Sequence, residues 1–275
     1  MPERFVDWIK WKLGERIAED YMLPYNQKMF ADDLNDLGTY WLEKLPNVSF
    51  EETLRSCLTH RPCGMQPGHA FFYYPIKYGY GEVWLRIADS IGDHILYEKN
   101  VYGIDMEKRE VFVSPDEVYS AEKIITTIPW TVFTDVLGVP GQMLENLQQL
   151  KSSAVEIRYV PEQLETEAQW IYIPDPVLPY HRILVRHNFC QNSKGYWLET
   201  RQERTNQYKD DNYHYLNEFA YPLNTIGKPR IMEKLLDYAR TKQIYGLGRW
   251  GEHSHYNSDL VVELAIRLEE ELSNS

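Results

Sequence analysis

Phe5, Ile9, Leu13 and Ile17, with Trp8 beside them, recur at helical spacing from the start of the chain. This predicts an amphipathic helix that begins after Pro2 and stops near residues 21–24, because the residue before Pro24 is displaced from the helical region. Residues 32–44 and 49–57 read as two shorter helices, the second opened by a Ser49–Glu52 capping box. Prolines and glycines among aromatics over 62–81 predict a loop that feeds a helix over 82–91. The pattern then changes to short β-rich runs at 94–101, 110–113 and 123–127, followed by a helix over 141–150. Strict alternation over 154–160, 182–188 and 196–202 predicts antiparallel strands, the last two joined by a hairpin loop at 191–195. Pro229 begins a helix with Met232, Leu235, Leu236 and Ala239 on one face. A last helix carries Val261, Leu264, Ala265, Leu268 and Leu272, with Asn257 or Ser258 placed to cap it. The order of elements predicts an α+β chain: an N-terminal helical part over 1–62, a Gly-rich loop, helix and short strands over 63–130, a central antiparallel sheet over 131–225 and C-terminal helices over 226–275.

Composition narrows the function classes. With 275 residues, 43% of them hydrophobic, the chain can bury a substantial core. Lys and Arg number 29 against 41 Asp and Glu, a net charge of -12, which disfavours nucleic acid and anionic membranes as partners. An anionic ligand therefore needs a local basic pocket. The first residues alternate charge with apolar positions, giving neither a signal-peptide core nor a membrane span, so the expectation is a soluble, cytoplasmic protein. Three cysteines without a secretory signal point to reduced thiols. Cys57, His60, Cys63 and His69 are metal-competent, but their spacing is tighter than common zinc modules, and they are read as separate buried thiols and surface histidines with no metal site. Twenty-one tyrosines and eight tryptophans suit pocket walls and ordinary cores equally.

The most informative stretch is GLGRWGEHSHYNSDL over 246–260, where glycines and an arginine precede the start of the last helix. Glycines let backbone N–H groups approach a ligand, and a helix start offers unpaired donors and a positive dipole end. The same stretch also reads as a tight turn between packed helices. His253 and His255 alternate, so an extended segment would set both on one side, as an acid–base pair or as hydrogen-bonded structural residues. Arg182, Leu184 and Arg186 share one face of a predicted strand, whose plain reading is a solvated face with paired carboxylates. Tyr73, Tyr74, Tyr78 and Tyr80 suit either a pocket lining or a loop packed on the core.

GRWGEHSHYNSDL resembles the C-terminal signature of UDP-galactopyranose mutases. YMLPYNQKMF, YPIKYGYGEVWLRIADSI, KIITTIPWTVF, YHRILVRHNF and FAYPL resemble further motifs of that family, in the same order over nearly the whole chain. The resemblance extends to the wider flavin-containing amine oxidase group and implies FAD as cofactor. In that family a G-x-G-x-x-G turn in an N-terminal βαβ unit holds the pyrophosphate. Neither Gly248-Arg249-Trp250-Gly251 nor Gly79-Tyr80-Gly81 is taken as that turn, and the first residues predict a helix where a strand would be needed. The expectation is thus a C-terminal two-thirds of a longer flavoprotein, completed by a missing FAD-binding segment or subunit. It would bind FAD weakly by itself and expose apolar surface that a homodimer could cover.

Carried over residue by residue, the resemblance implies flavin contacts from Asn26, Gly79, Gly81, Gly248, Arg249, Gly251, Asn257 and Asp259. It implies substrate contacts from Arg182 and Tyr221 to the diphosphate of a sugar nucleotide, an arginine fork being suited to two phosphate oxygens. Catalytic roles would fall to His253 and His255, with the covalent chemistry belonging to the reduced flavin. The chain departs from the family at His253, Ser254 and His255, where mutases present an aromatic, an Arg and a Tyr, and at Asn257, where bacterial mutases often carry an Asp. The leading expectation is part of a flavin-dependent oxidoreductase or mutase-like isomerase. The alternatives are a non-catalytic ligand- or partner-binding module and a flavin amine oxidase.

Overall fold

The amphipathic N-terminus forms α1 (Phe5–Leu13), with Phe5, Trp8 and Ile9 buried, and Gly14 ends it at a φ of 84°. These elements come from a computed structural model that describes residues 1–42, 49–61, 63, 72–207 and 213–274. The helical path does not stop at Pro24. It continues through α2 (Glu15–Ile17), a π-helical turn (Ala18–Met22) and α3 (Leu23–Met29). The wide π turn resets the hydrogen-bond register, so Pro24 falls in the first turn of a new segment, where its missing N–H costs no bond.

The helix expected over 32–44 does not form in its described part, 32–42. Asp33 accepts the Asn35 N–H at 2.9 Å, a local bond that competes with helical pairing, and Gly38 bridges Arg4 while Leu34, Leu37 and Leu42 are buried. Ser49 does open α4 (Phe50–Thr59), accepting the Glu52 N–H at 3.1 Å while its hydroxyl donates to the Glu52 carboxylate. After 72–79 the chain enters α5 (Tyr80–Ser90). Cys57 is exposed rather than buried, and His69 lies outside the described residues.

The predicted strand over 94–101 is absent: Gly92–His94 is a 3-10 turn, and Leu96 and Tyr97 are exposed. Alternation marks a residue's fitness for a strand but does not provide a neighbour to pair with. Pairing begins two residues later, where a side chain at Gly103 would press on Asp135.

The chain divides into two units, each built from two stretches: Met1–Ile95 with Ser153–Glu218, and Leu96–Ser152 with Phe219–Ser275. The passages between them do not coincide with the sequence boundaries at 62, 130 and 225. The first unit contains the N-terminal helices and most of a five-stranded sheet. Its strands are β6 (Ser152–Val160), β7 (Trp170–Tyr172), β8 (Arg182–Val185), β9 (Tyr196–Arg201) and β10 (His214–Pro222), in the order β10-β6-β9-β8-β7. The run expected as one strand over 182–188 turns into a 3-10 helix at Arg186–Asn188 before returning antiparallel as β9.

The second unit has a four-stranded sheet of β1 (Gly103–Asp105), β2 (Glu110–Ser114), β3 (Glu117–Ser120) and β5 (Asp135–Leu137), ordered β3-β2-β1-β5. A separate parallel pair joins β4 (Ile124–Thr126) to β11 (Ile244–Gly246). The helices are α6 (Gly141–Leu147), α7 (Lys228–Thr241), α8 (Gly248–Gly251) and α9 (Ser258–Ser273). Ile104, Met106, Trp130, Leu235, Ala239 and Ile244 form the centre of its core. The α+β class expected from the sequence is the class observed. No described helix is long and apolar enough to cross a membrane.

Candidate functional site

Two places concentrate the predicted residues. In the second unit, β11 runs into α8 and then α9 through the glycine turn. With Gly246 included, this turn has the spacing Gly246-x-Gly248-x-x-Gly251. Each glycine has a packing reason. A Cβ on Gly246 would lie 2.2 Å from the Gly251 carbonyl oxygen, and one on Gly251 would lie 2.2 Å from that of Thr126. Gly248 has a φ of 75°. The Trp130 indole N–H donates to the Gly251 carbonyl at 2.8 Å, fastening the turn to the core.

Several groups counted as ligand donors already have internal partners. The Gly248 N–H donates to the Glu252 carboxylate at 3.1 Å, so an internal anion occupies that donor. Arg249 donates to the Tyr256 carbonyl from Nε and Nη2 and to the Ala220 carbonyl from Nη1. Asn257 is the N-cap residue of α9 but makes no side-chain cap bond; it and Asp259 are exposed. Of this stretch, Gly246, Gly251 and Arg249 hold the turn together, whereas Asn257 and Asp259 stand exposed at the start of α9.

His253 is not in an extended segment. Its φ is 48°, it is 1% exposed, Nε2 lies 3.1 Å from the Lys151 carbonyl, and Nδ1 is buried without a hydrogen-bond partner. Lys228, also buried, donates to Asn224 Oδ1 at 2.5 Å and to the His253 carbonyl at 2.8 Å. Burial pushes the Lys228 ammonium down to about 8. Burial and the adjacent Lys228 charge push His253 down to about 4, against a weaker opposing effect of the Lys151 carbonyl. His253 is therefore neutral near pH 7 and serves as a packed anchor. His255 instead lies beside Tyr221, ring centroids 5.3 Å apart, and Tyr221 is itself buried.

The depressed histidine has a testable consequence. As pH falls, the unfolded chain takes up this proton first, so stability is lost from about pH 6.5 downward until the folded state titrates near pH 4. At pH 5 the loss relative to pH 7 should be roughly 2 kcal/mol, and His253→Gln should remove that part of the slope. Denaturant unfolding of both proteins at pH 5 and pH 7 measures it; equal slopes would refute the assignment.

In the first unit the sheet face carries a buried polar group. Arg182 pairs with Glu199 through Nε (2.8 Å to Oε2) and Nη2 (2.9 Å to Oε1). His181, fully buried, sits 3.4 Å from the same carboxylate and against the Tyr25 ring. Burial lowers His181, leaving it neutral. Burial opposes ionisation of Glu199, yet the His181 ring beside it and the charge and hydrogen bonds of Arg182 outweigh it and hold the carboxyl below its ordinary range. From α3, Lys28 donates to the Ile173 and Asp175 carbonyls at 2.7 and 2.8 Å, and Asn26 bonds back to Met22. Gly79 caps α5 at a φ of 81°, and Gly81 faces open space.

Asn26, Gly79, Gly81 and Arg182 thus belong to the first unit, and Tyr221, Gly248, Arg249, Gly251, His253, His255, Asn257 and Asp259 to the second. Glu199, His181 and Lys228 were missed. Their one sequence signal is a charged or imidazole group inside an otherwise apolar pattern, which spacing does not separate from a surface residue.

No protein-family model matches the chain. Among solved structures, it superposes on a reduced UDP-galactopyranose mutase with a TM-score of 0.79 at 22% identity, covering 91% of this chain and 62% of that one. Its fold is that of the mutase. A CLA-producing fatty acid isomerase from P. acnes matches with a TM-score of 0.61 at 12% identity, over 97% of this chain and 65% of that one. A protein from Exiguobacterium sp. assigned as a protoporphyrinogen oxidase matches at 0.53 and 11% identity, over 90% and 62%. The chain spans less than two thirds of the length of each of these three structures.

Proposed function

We propose that this chain works as part of a flavin-dependent mutase or oxidoreductase acting on a nucleotide-linked sugar or a similar anionic substrate. The observation that carries the reading is the mutase fold over 91% of the chain. A reduced flavin would supply the electron-rich ring for the chemistry. The start of α9, with Asn257 and Asp259, would hold the flavin from the second unit, because helix-start N–H donors suit its negative charge. Arg182, aimed by Glu199, would orient the substrate's phosphates from the first unit. These groups bind and orient, and none is asked to move a proton as an imidazolium.

The natural gene product is expected to take up FAD and to interconvert ring forms of a nucleotide-linked sugar without consuming oxygen. Asn257→Ala with Asp259→Ala should weaken FAD binding several-fold by fluorescence titration. No uptake at any FAD concentration refutes the reading, whereas peroxide release with amines identifies an amine oxidase instead. One observation favours a second reading, a non-catalytic binding module: Gly248 N–H and Arg249 already have internal partners. A preparation that binds sugar nucleotides but no flavin supports the module.

A further inference from the structure

His181 is fully buried, yet neither ring nitrogen has a hydrogen-bond partner among the described residues. Buried polar groups are nearly always paired, so an imidazole left in this state calls for a reason. The backbone fixes it in place: the His181 N–H donates to the Glu199 carbonyl, and the His181 carbonyl accepts from the Ile173 N–H, both at 2.9 Å. Nε2 stands 3.4 Å from Glu199 Oε2, just outside a good hydrogen bond. That oxygen is already engaged. Arg182 approaches it at 2.8 Å from Nε and 2.7 Å from Nη2, and Nη2 also reaches Oε1 at 2.9 Å.

One buried carboxylate thus lies between a cation that holds it and a neutral ring beside it. Three further elements bear on that ring. Arg182 belongs to β8, Glu199 to β9, and α3 contributes Lys28 and the edge-on ring of Tyr25, 6.2 Å away between centroids. Burial holds the imidazole neutral against the pull of Glu199, with the charges of Arg182 and Lys28 adding to the effect of burial. Lys28 itself is turned to the Ile173 and Asp175 carbonyls.

The Arg182 side chain is 26% exposed, so a ligand can reach it. A phosphate that takes the Nε and Nη2 donors must displace Glu199 from them. The released carboxylate is buried, and a buried charge without a partner is costly. The arriving anion also adds negative charge near the ring. Both changes favour the imidazolium, which pairs with Glu199 as a cation.

We infer that His181 and Glu199 are positioning residues that couple phosphate binding at Arg182 to the uptake of one proton. Glu199 passes from Arg182 to His181 as the ligand arrives, and the imidazole takes its second proton from solvent. The inference rests on the reading of Arg182 as a phosphate-binding residue and adds how the internal carboxylate makes way.

Titration calorimetry with UDP from pH 6 to pH 8, with no flavin added, tests it in the wild type, His181→Asn and Glu199→Gln. On acidification the wild type should gain affinity by up to about tenfold per pH unit more than His181→Asn, the mark of one linked proton; the titration of UDP itself is common to both and cancels. Glu199→Gln keeps the shape and removes the competing anion. It should bind UDP about threefold or more tightly than the wild type at pH 8, with the shallow slope of His181→Asn, whereas a merely structural glutamate would give weaker binding on substitution. Wild-type titrations in buffers of unequal ionisation enthalpy count the proton directly, so the test survives a variant that fails to fold. Equal slopes in wild type and His181→Asn, no buffer dependence of the heat, or weaker binding by folded Glu199→Gln at pH 8 would overturn the inference. Unchanged UDP affinity in Arg182→Gln would sink the phosphate reading and the coupling together, while affinity lost in Arg182→Gln without proton uptake in the wild type sinks the coupling alone.

Discussion

Gly251→Ala is expected to unfold the second unit or to cost it more than about 3 kcal/mol, a large share of a domain's total stability. The added methyl would stand 2.2 Å from the Thr126 carbonyl oxygen and about 3 Å from the Gly246 backbone. None of these atoms is the end of a flexible side chain. Relief requires β11 to move from β4, and that breaks the parallel register Gly246↔Thr126 and the Trp130 bond to Gly251 together. Overpacking is costly where the obstacle is backbone rather than a rotamer. Gly141→Ala is the control, since nothing lies within 4 Å of its Cβ position. Thermal melting followed by near-UV circular dichroism should separate the two, and a Gly251→Ala protein melting with the wild type would refute this account of the turn.

Glu199→Ala should destabilise the first unit by about 1–3 kcal/mol, less than for a fully buried pair because the Arg182 side chain is 26% exposed to water. The glutamate is 5% exposed and accepts both bonds from Arg182, so its loss removes this bidentate pairing and the carboxylate 3.4 Å from His181. Arg182→Leu in the same chain should recover much of the loss, because a pair replaced by apolar groups leaves no uncompensated charge. Denaturant unfolding of the single and double variants gives the coupling. An additive double variant would show that the pair does not act as a unit.

Legibility from sequence followed the range of the interactions. The helices at Phe5–Leu13, Phe50–Thr59 and Lys228–Thr241 and the strands at Glu110–Ser114 and Tyr196–Arg201 were readable because their periodicity and caps lie within a few residues. Misreadings occurred where a distant or local competitor decided. The π turn carried the helix past Pro24, Asp33 diverted the next one, and the 94–101 run had no strand beside it. The strands β1, β3, β5, β7, β10 and β11 went unpredicted; four of the six are three-residue pieces whose existence depends on a neighbour.

The sequence by itself determined the α+β class, the glycine turn ahead of the last helix and the motif order that resembles the mutases. These rest on backbone freedom, capping and periodicity, which are local properties. Only the tertiary structure decided that Glu252 and the Tyr256 carbonyl already satisfy the Gly248 N–H and Arg249, that His253 is neutral, and that Arg182 answers to Glu199. Whether a charge is free, paired or desolvated depends on groups far away in the chain, and no spacing along the sequence encodes that distance.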